Sequence, residues 1–179
     1  KSLEDDSTQT RTGIILGNIQ RSHAFTLGTS YAFESPNNTI SLASLSGTGS
    51  ITVSVVPGVI TDFPLAASIN REYTITTSGI SITGAATLRF HYEDAELNGN
   101  NEATIGIWRN TGSGWSVYGK SANSATANYV EYTSVLSSIN GRYTLSATAN
   151  VVTWNGSVSG DWSTAANWTV TGGAPSRPP

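Results

Sequence analysis

Residues 71–118 read REYTITTSGISITGAATLRFHYEDAELNGNNEATIGIWRNTGSGWSVY. Polar and apolar residues alternate over 73–76, 80–82, 86–92, 103–109 and 114–118, with breaks at Ser78-Gly79, Gly84, Asn98-Gly99-Asn100 and Thr111-Gly112-Ser113. A period of two sends successive side chains to opposite faces of a strand, and Thr, Val, Ile and aromatic residues suit a half-buried pleated surface. No 3.6-residue period is sustained over helical length. The stretch therefore predicts short consecutive strands, with a polar, acidic, Asn/Gly-rich turn between the third and the fourth.

The same pattern extends outward. Upstream, strands are expected over 13–20, where Gly17 is read as a break, and over 24–27 and 31–33. Glu34-Ser35-Pro36-Asn37-Asn38 is a strong turn signal. Segments 39–45 and 50–56 place Ile40, Leu42, Ile51, Val53 and Val55 on one face and are expected to form a hairpin through Ser46-Gly47-Thr48-Gly49. Pro57-Gly58 closes that strand, and 59–70 crosses over to Arg71. Downstream, strands are expected over 129–133 and 141–148. Short strands at this spacing, with no room for a helix beyond about two turns, predict an all-β antiparallel β-sandwich, jelly-roll or Ig-like. Residues 1–12 are read as a flexible lead-in and 13–150 as the sandwich. Residues 151–179 form a Trp-rich extension, either an added strand or the truncated start of a neighbouring module.

Composition narrows the function classes. Only 12% of residues are charged, and Ser, Thr, Asn and Gly must supply the polar surface. A net charge of -3 offers no electrostatic footprint for nucleic acid. Lysine occurs only at Lys1 and Lys120, so no polybasic membrane patch exists, and no apolar run reaches the roughly 20 residues of a membrane span. Cysteine is absent, which excludes disulfides, thiolate metal sites and a cysteine nucleophile. Methionine is absent too, so the chain is expected to be a fragment or a processed product. The balance is that of an exported bacterial all-β module.

The segments REY, LRFHYEDAELNGNNEATIGIWR and Gly114-Trp115 carry a family resemblance. They resemble the β-sandwich modules of large secreted and cell-surface proteins of Bacteroidetes-type bacteria. The resemblance spans roughly 13–147 and is densest over 71–118. Relatives often carry a Trp after the Tyr where this chain has REYTIT. The tail, with Trp154, Trp162 and Trp168 around DWSTAANW, resembles the segment that opens the next module in such proteins. The resemblance implies a non-catalytic structural or adhesive module that meets neighbouring modules or copies of itself, and it supplies no catalytic residues.

Chemistry-bearing motifs are thin. No GxSxG elbow, HExxH, P-loop or dinucleotide fingerprint is present. The Gly-rich GTGS and TGSG segments lack the following helix that a phosphate cradle needs. His91, between Phe90 and Tyr92, reads as a structural strand residue. Glu93, Asp94, Glu96 and Glu102 flank the Asn98–Asn101 turn. A glycosidase pair needs a cleft rather than a sandwich loop. A hard cation such as Ca2+ suits loop oxygens better, and solvated acids are the plain alternative. Only Arg89 and Arg109 are near in sequence to neutralise them. Trp108, Trp115 and Tyr118 surround the Thr111-Gly112-Ser113 turn and are the candidate sugar-stacking residues, against a core role for the two tryptophans. The alternative function is thus a carbohydrate-binding module of a secreted polysaccharide-active protein. Lys120 with Asp94, Glu96 or Glu131 is the only set for an intramolecular amide cross-link.

Overall fold

The computed structural model describes residues 3–5, 12–65, 67–148, 151–154, 156, 158, 160–161, 164 and 167–171, with only the backbone for 3–5, 151–153 and 168–171. The strands are β1 (Leu3–Asp5), β2 (Gly17–His23), β3 (Ser30–Ala32), β4 (Thr39–Leu42), β5 (Leu45–Pro57), β6 (Arg71–Ile82) and β7 (Ala85–His91). After a 3-10 turn (Asp94–Glu96) come β8 (Ile105–Asn110), β9 (Trp115–Gly119), β10 (Ala122–Ser124), β11 (Tyr129–Val135), β12 (Gly141–Ala147), β13 (Val151–Trp154) and β14 (Trp168–Thr171). The first sheet runs β1-β2-β5-β6-β12-β8-β9 and the second β10-β11-β7-β4-β3. All pairings are antiparallel except that of β1 with β2. The protein is an all-β sandwich, as the alternation predicts.

The core lies between the sheets. Ile51, Val53 and Val55 of β5, Tyr73 and Ile75 of β6 and Tyr143 and Leu145 of β12 are buried against Ile40 and Leu42 of β4 and Leu88 and Phe90 of β7. Phe90 reaches across from the second sheet to both tyrosines of the first, with ring centroids 4.6 Å from Tyr73 and 5.0 Å from Tyr143. Each tyrosine hydroxyl finds a carbonyl: Tyr73 donates to His91 O and Tyr143 to Ile139 O at 2.6 Å. Full burial of one such ring contributes about 1.5–3 kcal/mol, and the satisfied hydroxyl avoids the penalty of an orphaned polar group.

The expected hairpin between 39–45 and 50–56 is not formed. Strands β4 and β5 belong to different sheets, and Ser46 to Gly49 lie inside β5. Similarly, 73–76 and 80–82 are one strand, β6, and Ser78-Gly79 is no turn. The cause is backbone proximity. The β5–β6 register shifts between Gly47 and Ser50, and a Cβ on Gly49 would sit 1.9 Å from Ser78 O, one on Gly47 2.3 Å from Gly79 O. These glycines admit a bulge where two strands touch; they do not reverse the chain. At this end the chain changes sheets twice, from β4 to β5 and from β6 to β7 across Gly84. Residues 24–27, expected as a strand, lie between β2 and β3 without strand pairing, and Gly17 starts β2 where a break was expected.

Candidate functional site

The acidic turn follows β7. Glu93, Asp94, Glu96 and Glu102 do not converge; each carboxylate meets its own partner. Glu96 Oε2 accepts from the Glu93 backbone N–H at 2.9 Å, which closes the 3-10 turn. Asp94 accepts from Asn128 Nδ2 at 2.8 Å, and Glu102 accepts from the Tyr92 hydroxyl at 2.7 Å. Glu93 Oε1 lies 3.5 Å from His91 Nε2. Burial and the bond to Glu102 push the Tyr92 phenol well above its ordinary value. Among the described residues no group of three or more His, Asp or Glu side chains is arranged to hold a metal ion.

The cation that serves this turn comes from elsewhere in the chain. Arg71 opens β6 on the inward parity of Tyr73 and Ile75, so its guanidinium enters the sandwich. It lies 2.6 Å from Glu34 Oε1 and 2.7 Å from Glu96 Oε2; the first contact is an aligned hydrogen bond, the second an ion pair through Nε. Glu34 is fully buried, held by the tight turn in which Phe33 N bonds to Asn38 O and Asn38 N to Ser35 O. His91 Nδ1 stands 3.3 Å from the same Glu34 Oε1. Burial works against the charge on Arg71, but the Tyr73 phenol and the Glu96 and Glu34 carboxylates outweigh it and hold the guanidinium above its ordinary value. Arg89 and Arg109 are engaged away from the turn. Arg89 pairs with Glu131 at 2.7 Å, and Arg109 donates to Tyr118 Oη and Asn140 O.

Trp108, Trp115 and Tyr118 are not one row. Trp108 and Trp115 stand on the outer face of the first sheet, where Phe63 from the 58–70 connection meets both edge-on at 5.1 and 5.5 Å. Trp108 is buried beneath this strap, and Trp115 is half-buried. Arg142 of β12 lies 5.2 Å over the Trp115 ring and clasps the strap through Asp62 at 2.6 and 2.9 Å; it also pairs with Glu72. The Arg142 bond holds the Asp62 carboxyl below its ordinary value. Tyr118 instead bonds Arg109 at 2.8 Å and stacks edge-on with Tyr132 at 5.4 Å. Tyr118 has the opposite parity to Trp115 and Val117 on β9, which puts it on the inner face toward the second sheet, where Arg109, its guanidinium 5.5 Å from the core ring of Tyr143, donates to it. Lys120 Nζ donates to Ala103 O at 2.7 Å, while Asp94, Glu96 and Glu131 have the partners given above.

Two structures lie at the chain's ends. Leu3–Asp5 runs parallel to β2 on the sheet edge, pairing Leu3 with Ile19, Glu4 with Gln20 and Asp5 with Arg21. Arg21 is buried, with Nε donating to Ala32 O at 2.9 Å and its guanidinium 5.7 Å from the Tyr31 and Phe33 rings. At the other end β13 and β14 pair as a separate two-stranded sheet. Asn167, fully buried, ties the intervening loop by accepting from Val158 N and donating to Asp161 O, both at 2.9 Å. Trp154 is half-buried; Trp162 and the Trp168 side chain lie outside what is described.

The sequence reading missed Glu34, Arg71, Phe63, Arg142 and Arg21. A usable signal existed for two of them, because Arg71 and Arg21 each stand two residues from a core position, Tyr73 and Ile19. No family model matches the chain, and comparisons with curated proteins and with solved structures find no match.

Proposed function

We propose that the chain is a non-catalytic structural or adhesive module of an extracellular bacterial surface protein, stalk or filament, joined to neighbouring modules or further copies by strand addition. The observation that carries this reading is the seating of Leu3–Asp5 on the β2 edge. A free sheet edge presents a row of unpaired N–H and C=O groups that templates a further strand, and this edge accepts one. The sandwich supports it as a scaffold, because its strands are locked by a two-sided core and its surface is rich in uncharged Ser, Thr and Asn. The partners are modules or copies of the same kind, and the compartment is outside the cell.

The test is assembly against sugar binding. The purified chain is followed by light scattering and electron microscopy from micromolar to millimolar concentration and is applied in parallel to a glycan array. Growth into linear oligomers without saturable glycan binding is expected. Saturable binding that disappears in Trp115→Ala, from a chain that stays monomeric throughout, overturns the proposal in favour of a carbohydrate-binding module.

A further inference from the structure

We infer that the seat on β2 exchanges strands between copies, so that Leu3–Asp5 of one chain pairs with Ile19–Arg21 of a second copy. This deepens the strand-addition reading and rests on it, naming the donor, the acceptor and the register.

Three observations carry it. First, β1 is parallel to the strand that follows it. Consecutive strands joined by a short turn pair antiparallel; a parallel neighbour needs a connection that returns along the strand, usually of a dozen or more residues. Residues 6–16, eleven in all, are at the short end of that requirement. Fully extended they reach about 36–40 Å, several times the ~10 Å between packed sheets. The return within one chain, from beside Arg21 to Gly17, spans only four strand residues or ~13 Å, so the same linker has reach to spare for seating Leu3–Asp5 on a second copy.

Second, the seat is specific. Register sets Asp5 of the Leu3-Glu4-Asp5 segment across from Arg21, a cation buried to 2% exposure. An edge with a buried guanidinium at its third position favours an acidic strand over a basic one, since a like charge brought to a desolvated cation is strongly disfavoured. The acids Glu4, Asp5 and Asp6 are the densest negative run in the first 30 residues, so the chain carries the strand its own edge selects.

Third, the β1–β2 pairing is short. It covers three of the seven residues of β2, so little has to break before the segment is free. Exchange keeps every inter-strand bond and alters only which chain supplies it, which makes swapping a low-cost route to association. A short tether confers an effective concentration in the millimolar range. The intramolecular seat therefore prevails in dilute solution, and exchange dominates where copies are held close together.

The chain has no cysteine, so a single pair reports the register cleanly. Glu4→Cys and Gln20→Cys place the two thiols at directly paired positions, within the Cα separation that a disulfide bridges. The two single variants, one carrying a mass tag, are mixed near millimolar concentration and oxidised. The mixed disulfide dimer is expected to exceed either like-with-like dimer at least about fivefold. If the mixture gives no excess of mixed dimer while Glu4→Cys/Gln20→Cys closes wholly within one chain, the inference is overturned and the module reading survives. If the double variant does not close at all, the β1 seat itself is overturned. Oligomers that grow without the mixed disulfide assign assembly to another surface.

Discussion

Replacing Arg71 by methionine should be among the most damaging single changes available to this sandwich. Glu34 is fully buried, and its Oε2 has no hydrogen-bond partner among the described residues. Compensation for the carboxylate falls on Oε1, which receives Arg71 at 2.6 Å and His91 at a weaker 3.3 Å. Removing one partner of a buried ion pair costs about 3–5 kcal/mol, because the other charge is left desolvated. For a chain of 179 residues, each kcal/mol moves the melting temperature by about 2–4 °C. Arg71→Met is thus expected to lower it by about 6–20 °C. Glu34→Leu should cost less, since Arg71 keeps Glu96 at 2.7 Å. The double variant Glu34→Leu/Arg71→Met should recover most of the loss, as apolar replacement of a whole buried pair is often neutral. Urea unfolding followed by tryptophan fluorescence gives all three values and the coupling energy between the sites. A loss below about 1 kcal/mol in Arg71→Met, or a double variant that loses the sum of the singles, would refute the view that the pair is desolvated and mutually dependent.

Two further outcomes follow from the same core. Burial, the largest cause for each, raises the Tyr73, Tyr92 and Tyr143 phenols above their ordinary value. The folded state then holds protons that the unfolded state loses above roughly pH 10, so stability is fully present below that pH and falls as pH rises beyond it. Absorbance at 295 nm should show three of the seven tyrosines ionising only with unfolding; smooth titration of all seven in a folded chain would contradict it. Gly49→Ala, whose Cβ would meet Ser78 O, should cost about 1–3 kcal/mol in the urea experiment. Gly13→Ala, with open space around the added methyl, should cost almost nothing, and equal effects would show that the β5–β6 bulge does not require glycine.

The layers of the fold were legible because alternation is a local property. Ile51, Val53 and Val55 declare an inward face without reference to any partner, and the structure buries all three. Which strands pair was less legible, and the glycines show why. Glycine is enriched both where a chain reverses and where two backbones touch, and only the position of the other strand separates the two uses. Ser46-Gly47-Thr48-Gly49 and Ser78-Gly79 carry the composition of two turns, yet they are the two sides of one close contact. Neither segment alone contains that fact. Gly112, by contrast, does stand in the β8–β9 hairpin at φ +102°, where local chemistry and topology agree.

The side-chain clusters were less legible still, since their members come from distant parts of the chain. Proximity in sequence suggested Arg89 and Arg109 as the cations for the acidic turn; the sheet order instead brings Arg71, which is 25 positions from Glu96, and Glu34, 37 from Arg71. The surroundings of the tryptophans were hidden for a simpler reason. Trp108 and Trp115 stand on the outer face of the first sheet, and no alternation pattern reveals that Phe63, in a connection read only as a crossover, will cover that face. A period of two tells which residues share a side of a strand, but it is silent on whether that side meets water, a second sheet or a loop. Arg21, Arg71 and Arg109 break the pattern at inward positions, and such breaks are where charge has been drawn inside. Arg71 anchors the acidic turn and Arg21 stands across from the strand on the edge, so these two lead from the core of this module to the surface through which it is proposed to assemble.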